Sequence, residues 1–196
     1  PEVVVLSSHT ALLPVPQVIN STVYPVLFIR HPIDRIRSIY NFERKQISDT
    51  PGARMAKETN LSGYIQWRMK RENDRSIRNF HAYRLAFAVP QIVGEKKLGE
   101  EERAFLALES LPFLGSVEKF DESLIRLERW LRPIFPWIEL KPLRLNTTQE
   151  GDQDLEERLS AMMEEIGADM FEYLFDINSV DLAIYSRVLG FADQKL

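Results

Sequence analysis

The sequence predicts a single α/β domain with a mainly parallel sheet flanked by helices, and three observations lead to that prediction. Short apolar runs suited to buried strands lie near residues 3–6, 26–30, 113–117 and 142–145. Segments in which apolar residues recur at helical spacing follow several of these runs. The chain has 196 residues, which is enough for one such domain and short for two.

The composition is ordinary for a globular protein, with 44% hydrophobic and 28% charged residues. No apolar run approaches the roughly 18 residues of a membrane span, and no signal-peptide pattern opens the chain. The sequence contains no cysteine, which excludes disulfides, thiol catalysis and cysteine-ligated zinc. It also favours a cytoplasmic location, because secreted domains of this size often carry disulfides.

The two halves of the chain differ in charge. Residues 1–98 contain 15 Lys and Arg against 8 Asp and Glu, whereas residues 99–196 contain 10 against 21. The basic half can accommodate a polyanionic cofactor or substrate, and solvated helix faces are the alternative interpretation. The net charge of −4 argues against nucleic acid as a partner. The acids between residues 150 and 184 show no ligand spacing, so no metal site is predicted.

The most informative segment joins a strand to a helix. The apolar residues 26–29 are followed by Arg30, and Pro32 then suits the first turn of a helix. This order places Arg30 at the carboxyl end of a strand, the edge of an α/β sheet where ligands bind. Ser38 follows about two turns into the helix. A guanidinium and a hydroxyl directed at one point suit a phosphate group, and an ordinary βα unit with a solvated basic face is the alternative.

The pattern Arg30-x-Pro32-x-x-Arg35-x-x-Ser38-x-Tyr40 resembles the 3′-phosphate-binding segment of sulfotransferases that use 3′-phosphoadenosine 5′-phosphosulfate (PAPS). The likeness is greatest to carbohydrate sulfotransferases, including the heparan sulfate 2-O type. The resemblance implies that Arg30 and Ser38 bind the 3′-phosphate and that Arg35 supports their loop. It also implies a P-loop-like sulfotransferase fold, PAPS as the cofactor, and a hydroxyl of a carbohydrate or similar molecule as the acceptor.

His9 extends the resemblance, since it follows the predicted strand at 3–6 and precedes Arg30 by 21 residues. The carbohydrate sulfotransferases carry a histidine after the corresponding strand, and it is their proposed general base. The resemblance therefore implies that His9 takes the proton from the acceptor hydroxyl, a role that suits an imidazole titrating near neutral pH. A structural role is the alternative for a histidine just past a strand.

Two further segments are similar to the family. Gly115-x-x-Glu118-x-Phe120 ends a strand and opens a helix, and its mainly apolar character predicts a structural role. The strand predicted at 142–145 runs into Asn146 and two threonines, and the loop at this place lies near the cofactor in the family.

A basic segment is a weaker candidate for binding the acceptor. Residues 54–84 contain eight Lys and Arg against three acids, although the polar stretch 53–60 by itself predicts a surface loop. Four side chains have spacings close to one helix face, namely Arg75, Arg78, His81 and Arg84. Core aromatics beside solvated or paired arginines are the more frequent outcome of such a composition.

Two departures from the family stand beside these matches. The family has a first strand and a loop that holds the 5′-phosphosulfate, and no counterpart precedes His9. The resemblance therefore implies a single sulfotransferase-like domain over residues 1–196 that is incomplete at its N-terminus. His31 stands where the family usually has an acid. The rival interpretation is a noncatalytic relative that binds a nucleotide, a glycan or a partner protein.

Overall fold

A computed structural model describes residues 5–8, 11–142 and 154–194 of the chain. Its strands are β1 (Leu27–Ile29), β2 (Ile92–Val93), β3 (Lys96–Lys97) and β4 (Leu114–Ser116). β1 and β4 pair in parallel, and β2 and β3 form a separate antiparallel pair. The protein is therefore an α/β structure built on a small parallel sheet.

Helices account for most of the remaining described residues. They are α1 (Pro32–Lys45), α2 (Pro51–Glu58), α3 (Leu61–Met69), α4 (Phe80–Leu85), α5 (Glu100–Ser110), α6 (Phe120–Leu131), α7 (Leu155–Ile166), α8 (Ala168–Ile177) and α9 (Ser179–Gln194). Within these described ranges, no helix has both the length and the apolar character that a membrane crossing requires.

The parallel register brings the carboxyl ends of β1 and β4 to one edge of the sheet. Ile29 lies opposite Ser116, and the N–H of Val117 donates to the carbonyl of Ile29 at 2.9 Å. A Cβ on Gly115 would lie 2.7 Å from the ring of Phe28, so glycine is required for the two strands to pack at this distance. α1 and α6 both begin at this edge.

Apolar side chains cover both faces of the sheet. Ile29 belongs to a cluster with residues of α4, α5 and α9, including Ile184. Phe28 points to the other face, where it packs on a cluster that contains Leu127 of α6. A further cluster lies between α1, α3 and α7 and includes Ile33 and Met162. α1 is thereby fixed against α3 and the C-terminal helices.

A largely buried ion-pair network joins α1, α3 and the turn before α4. Arg68 donates to Glu43 at 2.6 Å, to Asp74 at 2.8 Å and to the hydroxyl of Tyr64 at 2.6 Å. The Tyr64 hydroxyl in turn donates to Glu43 at 2.7 Å. Burial alone would raise the pKa of Asp74, but hydrogen bonds from Arg68 and Ser76 lower it below its usual value.

The predicted strand at 3–6 is wrong in its described half. Val5 and Leu6 are irregular and are 86% and 91% exposed. In the described part of the chain the parallel sheet consists of β1 and β4, and neither strand pairs with residues 5–8. Pro142 is also irregular, and the rest of the strand predicted at 142–145 lies outside the described residues.

Candidate functional site

Arg30 and Ser38 meet at the carboxyl end of β1. Arg30 directly follows Ile29, the last residue of β1, and Ser38 lies in the second turn of α1. The Nη1 of Arg30 donates to the Oγ of Ser38 at 2.7 Å. The side chain of Arg30 is 31% exposed, so its guanidinium can be reached from solvent. The two residues that the sequence motif singled out are therefore in direct contact at an accessible place.

Asp34 holds Arg30 from the first turn of α1. Its carboxylate, in a residue only 2% exposed, accepts from the Nε of Arg30 at 2.6 Å. It also accepts from the Nε of Arg158 at 3.1 Å, although Arg158 lies 124 residues further along the chain in the first turn of α7. Sequence reasoning gave neither Asp34 nor Arg158 a role. The one available signal was that Arg158 is the single base among the eleven acids of residues 150–184.

Arg35 makes its contacts at the start of α4. Its guanidinium donates to the carbonyl of Ser76 at 3.1 and 3.3 Å and lies 3.6 Å from the ring centroid of Phe80. Burial lowers the pKa of Arg35 to about 10, against the raising effect of Asp181. Arg35 thus fastens α1 to the segment before α4 and to the first residue of α4.

His81 anchors the strand end through the backbone. Its Nε2 lies 2.9 Å from the carbonyl oxygen of Arg30, and because a carbonyl only accepts, this nitrogen carries the proton. Asp181 of α9 accepts from the backbone N–H groups of His81 and Ala82 at 2.8 and 2.7 Å. Burial, aided by the charge of Arg35, lowers the pKa of His81 to about 3. His81 is therefore a neutral structural group at physiological pH.

The four residues proposed for the acceptor do not share a face. Arg75 and Arg78 precede α4, so helical spacing does not apply to them. Arg75 pairs with Glu100 at 2.9 Å, Arg78 donates to the carbonyl of Met69 at 2.8 Å, and His81 is buried. Arg84, which lies in α4, donates to the backbone carbonyl of Ala11.

Glu118 links the ends of the two parallel strands. Its carboxylate accepts from the backbone N–H of His31 at 2.8 Å and from the hydroxyl of Ser116 at 2.9 Å. The His31 ring is buried edge-on against Tyr185 at 5.1 Å, and burial lowers the pKa of His31 despite the carboxylates of Glu118 and Asp34. The sequence analysis attributed the role of this segment to apolar packing and so missed the carboxylate. Among the described residues no group of three His, Asp or Glu side chains suits a metal ion.

His9 lies outside the described residues, and its role as a general base stays a prediction. The chain is described again from Ala11, which contacts Arg84 as noted above.

The buried state of His81 has a measurable consequence for stability. The folded-state pKa of about 3 lies below the unfolded value near 6.5, so only the unfolded chain takes up a proton between these values. The free energy of unfolding should therefore fall as the pH falls from about 6.5 toward 3, with a slope of up to roughly 1.4 kcal/mol per pH unit from this residue. Urea denaturation of the wild type and of His81→Gln at several pH values measures it.

His81→Gln keeps a donor for the Arg30 carbonyl but does not titrate. Burial raises the pKa of Asp181 to about 6, which gives an opposite slope between about pH 4 and 6. That slope is common to both proteins, so their difference isolates His81. Parallel stability curves for the two proteins between pH 7 and 4 would contradict the burial of a neutral imidazole.

Comparison with known proteins identifies an archaeal relative. No protein-family model matches the chain, and no solved structure matches it. An uncharacterized protein of Archaeoglobus fulgidus is 36% identical over 198 residues, an alignment that covers 96% of this chain and 75% of the archaeal protein. Sequence identity at this level over nearly the whole chain is sufficient to place the two proteins in one family. The chain belongs to the same family as this uncharacterized archaeal protein.

Proposed function

We propose that this protein is a sulfotransferase that binds PAPS through Arg30 and Ser38 and transfers the sulfuryl group to a hydroxyl of a carbohydrate or similar acceptor. The observation that carries the proposal is the contact of 2.7 Å between these side chains at the carboxyl end of β1. The same two residue types at the same spacing hold the nucleotide 3′-phosphate in the sulfotransferases that the sequence resembles. The proposal includes their P-loop-like fold.

The arrangement of donors supports phosphate binding. Arg30 uses Nε for Asp34 and Nη1 for Ser38, which leaves Nη2 outside these two bonds. Asp34 fixes the guanidinium plane, so little conformational entropy is lost when a ligand binds. Hydrogen bonds from a guanidinium to a phosphate are among the stronger ones in proteins, at about 1.5–3 kcal/mol each. A ligand with a 3′-phosphate should therefore bind more tightly than one without it.

The chemistry assigns a separate task to each residue. PAPS, when bound, supplies the sulfuryl group. Arg30 and Ser38 would hold its 3′-phosphate and so fix the nucleotide relative to the sheet edge. His9 would take the proton of the acceptor hydroxyl as the new oxygen–sulfur bond forms and the bond from sulfur to the phosphate oxygen breaks. Cationic side chains and backbone N–H groups can stabilise the transferred charge.

Calorimetry with adenosine 3′,5′-bisphosphate and adenosine 5′-monophosphate tests the 3′-phosphate assignment. The bisphosphate should bind more tightly to the wild type. Arg30→Ala should weaken its binding by roughly 2–3 kcal/mol and Ser38→Ala by about 1 kcal/mol, with little change for the monophosphate. Arg54→Ala removes a positive charge from the exposed face of α2 and serves as the control. Equal affinity of the wild type for the two ligands would rule out the assignment.

A second measurement separates transfer from binding alone. The full-length protein, incubated with PAPS and a polysaccharide acceptor, should release adenosine 3′,5′-bisphosphate and sulfated product. Tight binding of the bisphosphate without product would instead identify a noncatalytic nucleotide-binding relative.

A further inference from the structure

The amino ends of β1 and β4 form the edge of the sheet opposite to the candidate site, here called the amino-terminal edge. α6 starts at the carboxyl edge, and its 12 residues extend over about 18 Å. Near its end, the ring of Trp130 stacks on Phe113, just before β4, at 5.9 Å between centroids. Trp130 also packs edge-on against Tyr24, which precedes β1, at 6.1 Å. The loop before β1 and the loop after α6 therefore meet at the amino-terminal edge.

The loop before β1 is uncharged and exposes aliphatic side chains. Residues 10–29 contain no Asp, Glu, Lys, Arg or His. The N–H of Ser21 donates to the carbonyl of Val18 at 3.2 Å, and Asn20 has a φ of 59°, so the chain turns tightly here. Ile19, within this turn, is 90% exposed. Further exposed aliphatic residues of the loop are Val18, Val23 and Val26. Apolar surface of this kind marks contacts with membranes or other proteins.

The loop after α6, residues 132–138, exposes a tryptophan from an ordered backbone. The N–H of Phe135 donates to the carbonyl of Leu131 at 2.8 Å, and its ring packs edge-on against Tyr24 at 5.8 Å between centroids. The ring of Trp137 lies 6.4 Å from that of Phe135, and Trp137 is nevertheless 68% exposed. Because these contacts fix the loop, the fold itself presents the indole to solvent.

The end of α6 and the loop after it form a basic segment in the acidic half of the chain. Residues 125–141 contain four Lys and Arg against two Glu, whereas the rest of residues 99–196 contains six against 19. The count includes the pair of Arg132 with Glu128, so the positive excess does not depend on unpaired side chains. Exposed residues along a shallow concavity at this place include Ile125, Arg129, Arg132 and Pro133. Positive charge beside apolar side chains is complementary to an anionic, amphiphilic surface.

We propose that these two loops bind the protein to the surface of an anionic lipid bilayer, with Ile19 and Trp137 inserted at the level of the headgroups. Tryptophan suits this depth, because its ring is apolar and its N–H can donate to a headgroup. The aliphatic side chains enter the acyl boundary, and the positive excess attracts the lipid phosphates. Such binding lies in the plane of the interface and needs no spanning element.

Charge favours lipid over a second copy of the chain as the occupant of this surface. A symmetric contact between two copies would place the same basic segment of each copy against the other, and like charges repel. Anionic headgroups would instead neutralise the positive excess. The uncharged loop before β1 contributes no acidic group that could compensate the repulsion between copies.

The orientation that follows leaves the candidate site accessible. With the amino-terminal edge on the bilayer, the carboxyl edge with Arg30 and Ser38 lies about 18 Å away, the length of α6, and faces the aqueous phase. The inference goes beyond the proposed function and does not depend on it. Affinity for adenosine 3′,5′-bisphosphate should therefore be the same with and without vesicles.

Cosedimentation of the full-length protein with lipid vesicles tests the inference. Vesicles of equal parts phosphatidylcholine and phosphatidylglycerol should bind the protein about 10- to 30-fold more tightly than phosphatidylcholine alone. This binding should weaken as the salt concentration rises. Ile19→Ser and Trp137→Ser should each weaken binding to the mixed vesicles by about 10-fold, because each removes an apolar side chain that the bilayer would bury.

Ile92→Ser is the matched control for Ile19→Ser. Ile92 is 65% exposed and lies on β2, in the separate antiparallel pair with β3. The same substitution there should leave vesicle binding within about twofold of the wild type. Melting temperatures of all variants check folding. If Trp137→Ser is unstable, Ile19→Ser provides the test, since a side chain that is 90% exposed contributes little to packing.

Three results would overturn the inference. The first is wild-type protein that does not bind the mixed vesicles, or binds them no more tightly than phosphatidylcholine alone. The second is an equal loss of vesicle binding in Ile92→Ser and Ile19→Ser. The third is a dimer in analytical ultracentrifugation that Ile19→Ser dissociates, without vesicle binding, which would identify a contact between copies. Wild-type protein that binds the mixed vesicles but not the bisphosphate would overturn the proposed function alone.

Discussion

Replacing Arg68 with methionine is expected to lower the free energy of unfolding by about 3–5 kcal/mol. The side chains of Arg68 and Asp74 are each 8% exposed, and that of Glu43 is 18% exposed. Methionine would occupy similar volume but leave both carboxylates without their shared cation. The cost of an unpaired charge in this environment exceeds the gain from apolar packing. Urea denaturation at pH 7 measures the change.

Arg75→Met is the matched control for Arg68→Met. Arg75 also forms a two-pronged bond with a carboxylate, that of Glu100, at 2.9 and 3.0 Å. Its side chain is 42% exposed, so solvent screens the pair and the expected loss is below about 1 kcal/mol. Similar losses of unfolding free energy in the two variants would contradict the prediction, because they would show that burial does not increase the contribution of Arg68 to stability.

The pH dependence of the Arg68 effect follows from Asp74. Its folded-state pKa lies below the ordinary value of 3.8, so the stability that it contributes is present above that value. This stability is lost as the pH falls through the folded-state pKa. The difference in unfolding free energy between the wild type and Arg68→Met should therefore reach its full size at pH 7 and should decrease in strongly acidic solution.

His9→Ala is expected to reduce turnover of the full-length protein by about 10²–10⁴-fold, the usual contribution of a positioned proton acceptor. Affinity for adenosine 3′,5′-bisphosphate should barely change, because His9 would face the acceptor oxygen and not the 3′ end of the nucleotide. Turnover, bisphosphate affinity and melting temperature, measured on the same preparations, check the prediction.

Two buried histidines show what a structural role would look like. His31→Ala and His81→Ala remove rings that are 7% and 8% exposed, so both should lower the melting temperature. The turnover of His31→Ala should fall only as far as folding does, and His81→Ala should also weaken bisphosphate binding because His81 holds the carbonyl of Arg30. His9→Ala should instead fold normally, keep bisphosphate affinity and lose activity. Near-normal turnover in folded His9→Ala would refute the assignment of the general base.

Local signals predicted much of the helical structure. Pro32 opens α1, three glutamates open α5, and Asp154 caps α7 with a reciprocal contact to Glu157. The loop predicted at 53–60 is wrong, because most of it belongs to α2. The buried face of α2 consists of Gly52, Ala53 and Ala56, which are too small to give a strong apolar pattern. Its start at Thr50-Pro51 can also be interpreted as a stop signal for the preceding helix, because proline does not continue a helix.

The candidate site contains both local contacts and contacts between distant parts of the chain. Arg30 and Ser38 are eight residues apart in one strand–turn–helix unit, so their contact could be predicted from spacing. Asp34 and Arg158 are 124 residues apart, and their contact depends on the packing of α7 against α1. No periodicity within either segment encodes that packing, which is why a single sequence did not reveal it.

The backbone support of Arg30 limits how far the phosphate-binding segment can act as an independent module. Arg30 is held at its carbonyl by His81, and the N-terminus of the helix that carries His81 is held by Asp181 near the end of the chain. The backbone geometry of the segment around Arg30 therefore depends on a residue more than a hundred positions away. Transplanting residues 26–40 into another scaffold would carry the side chains without the geometry, and shortening the chain before Asp181 would disable the site from a distance.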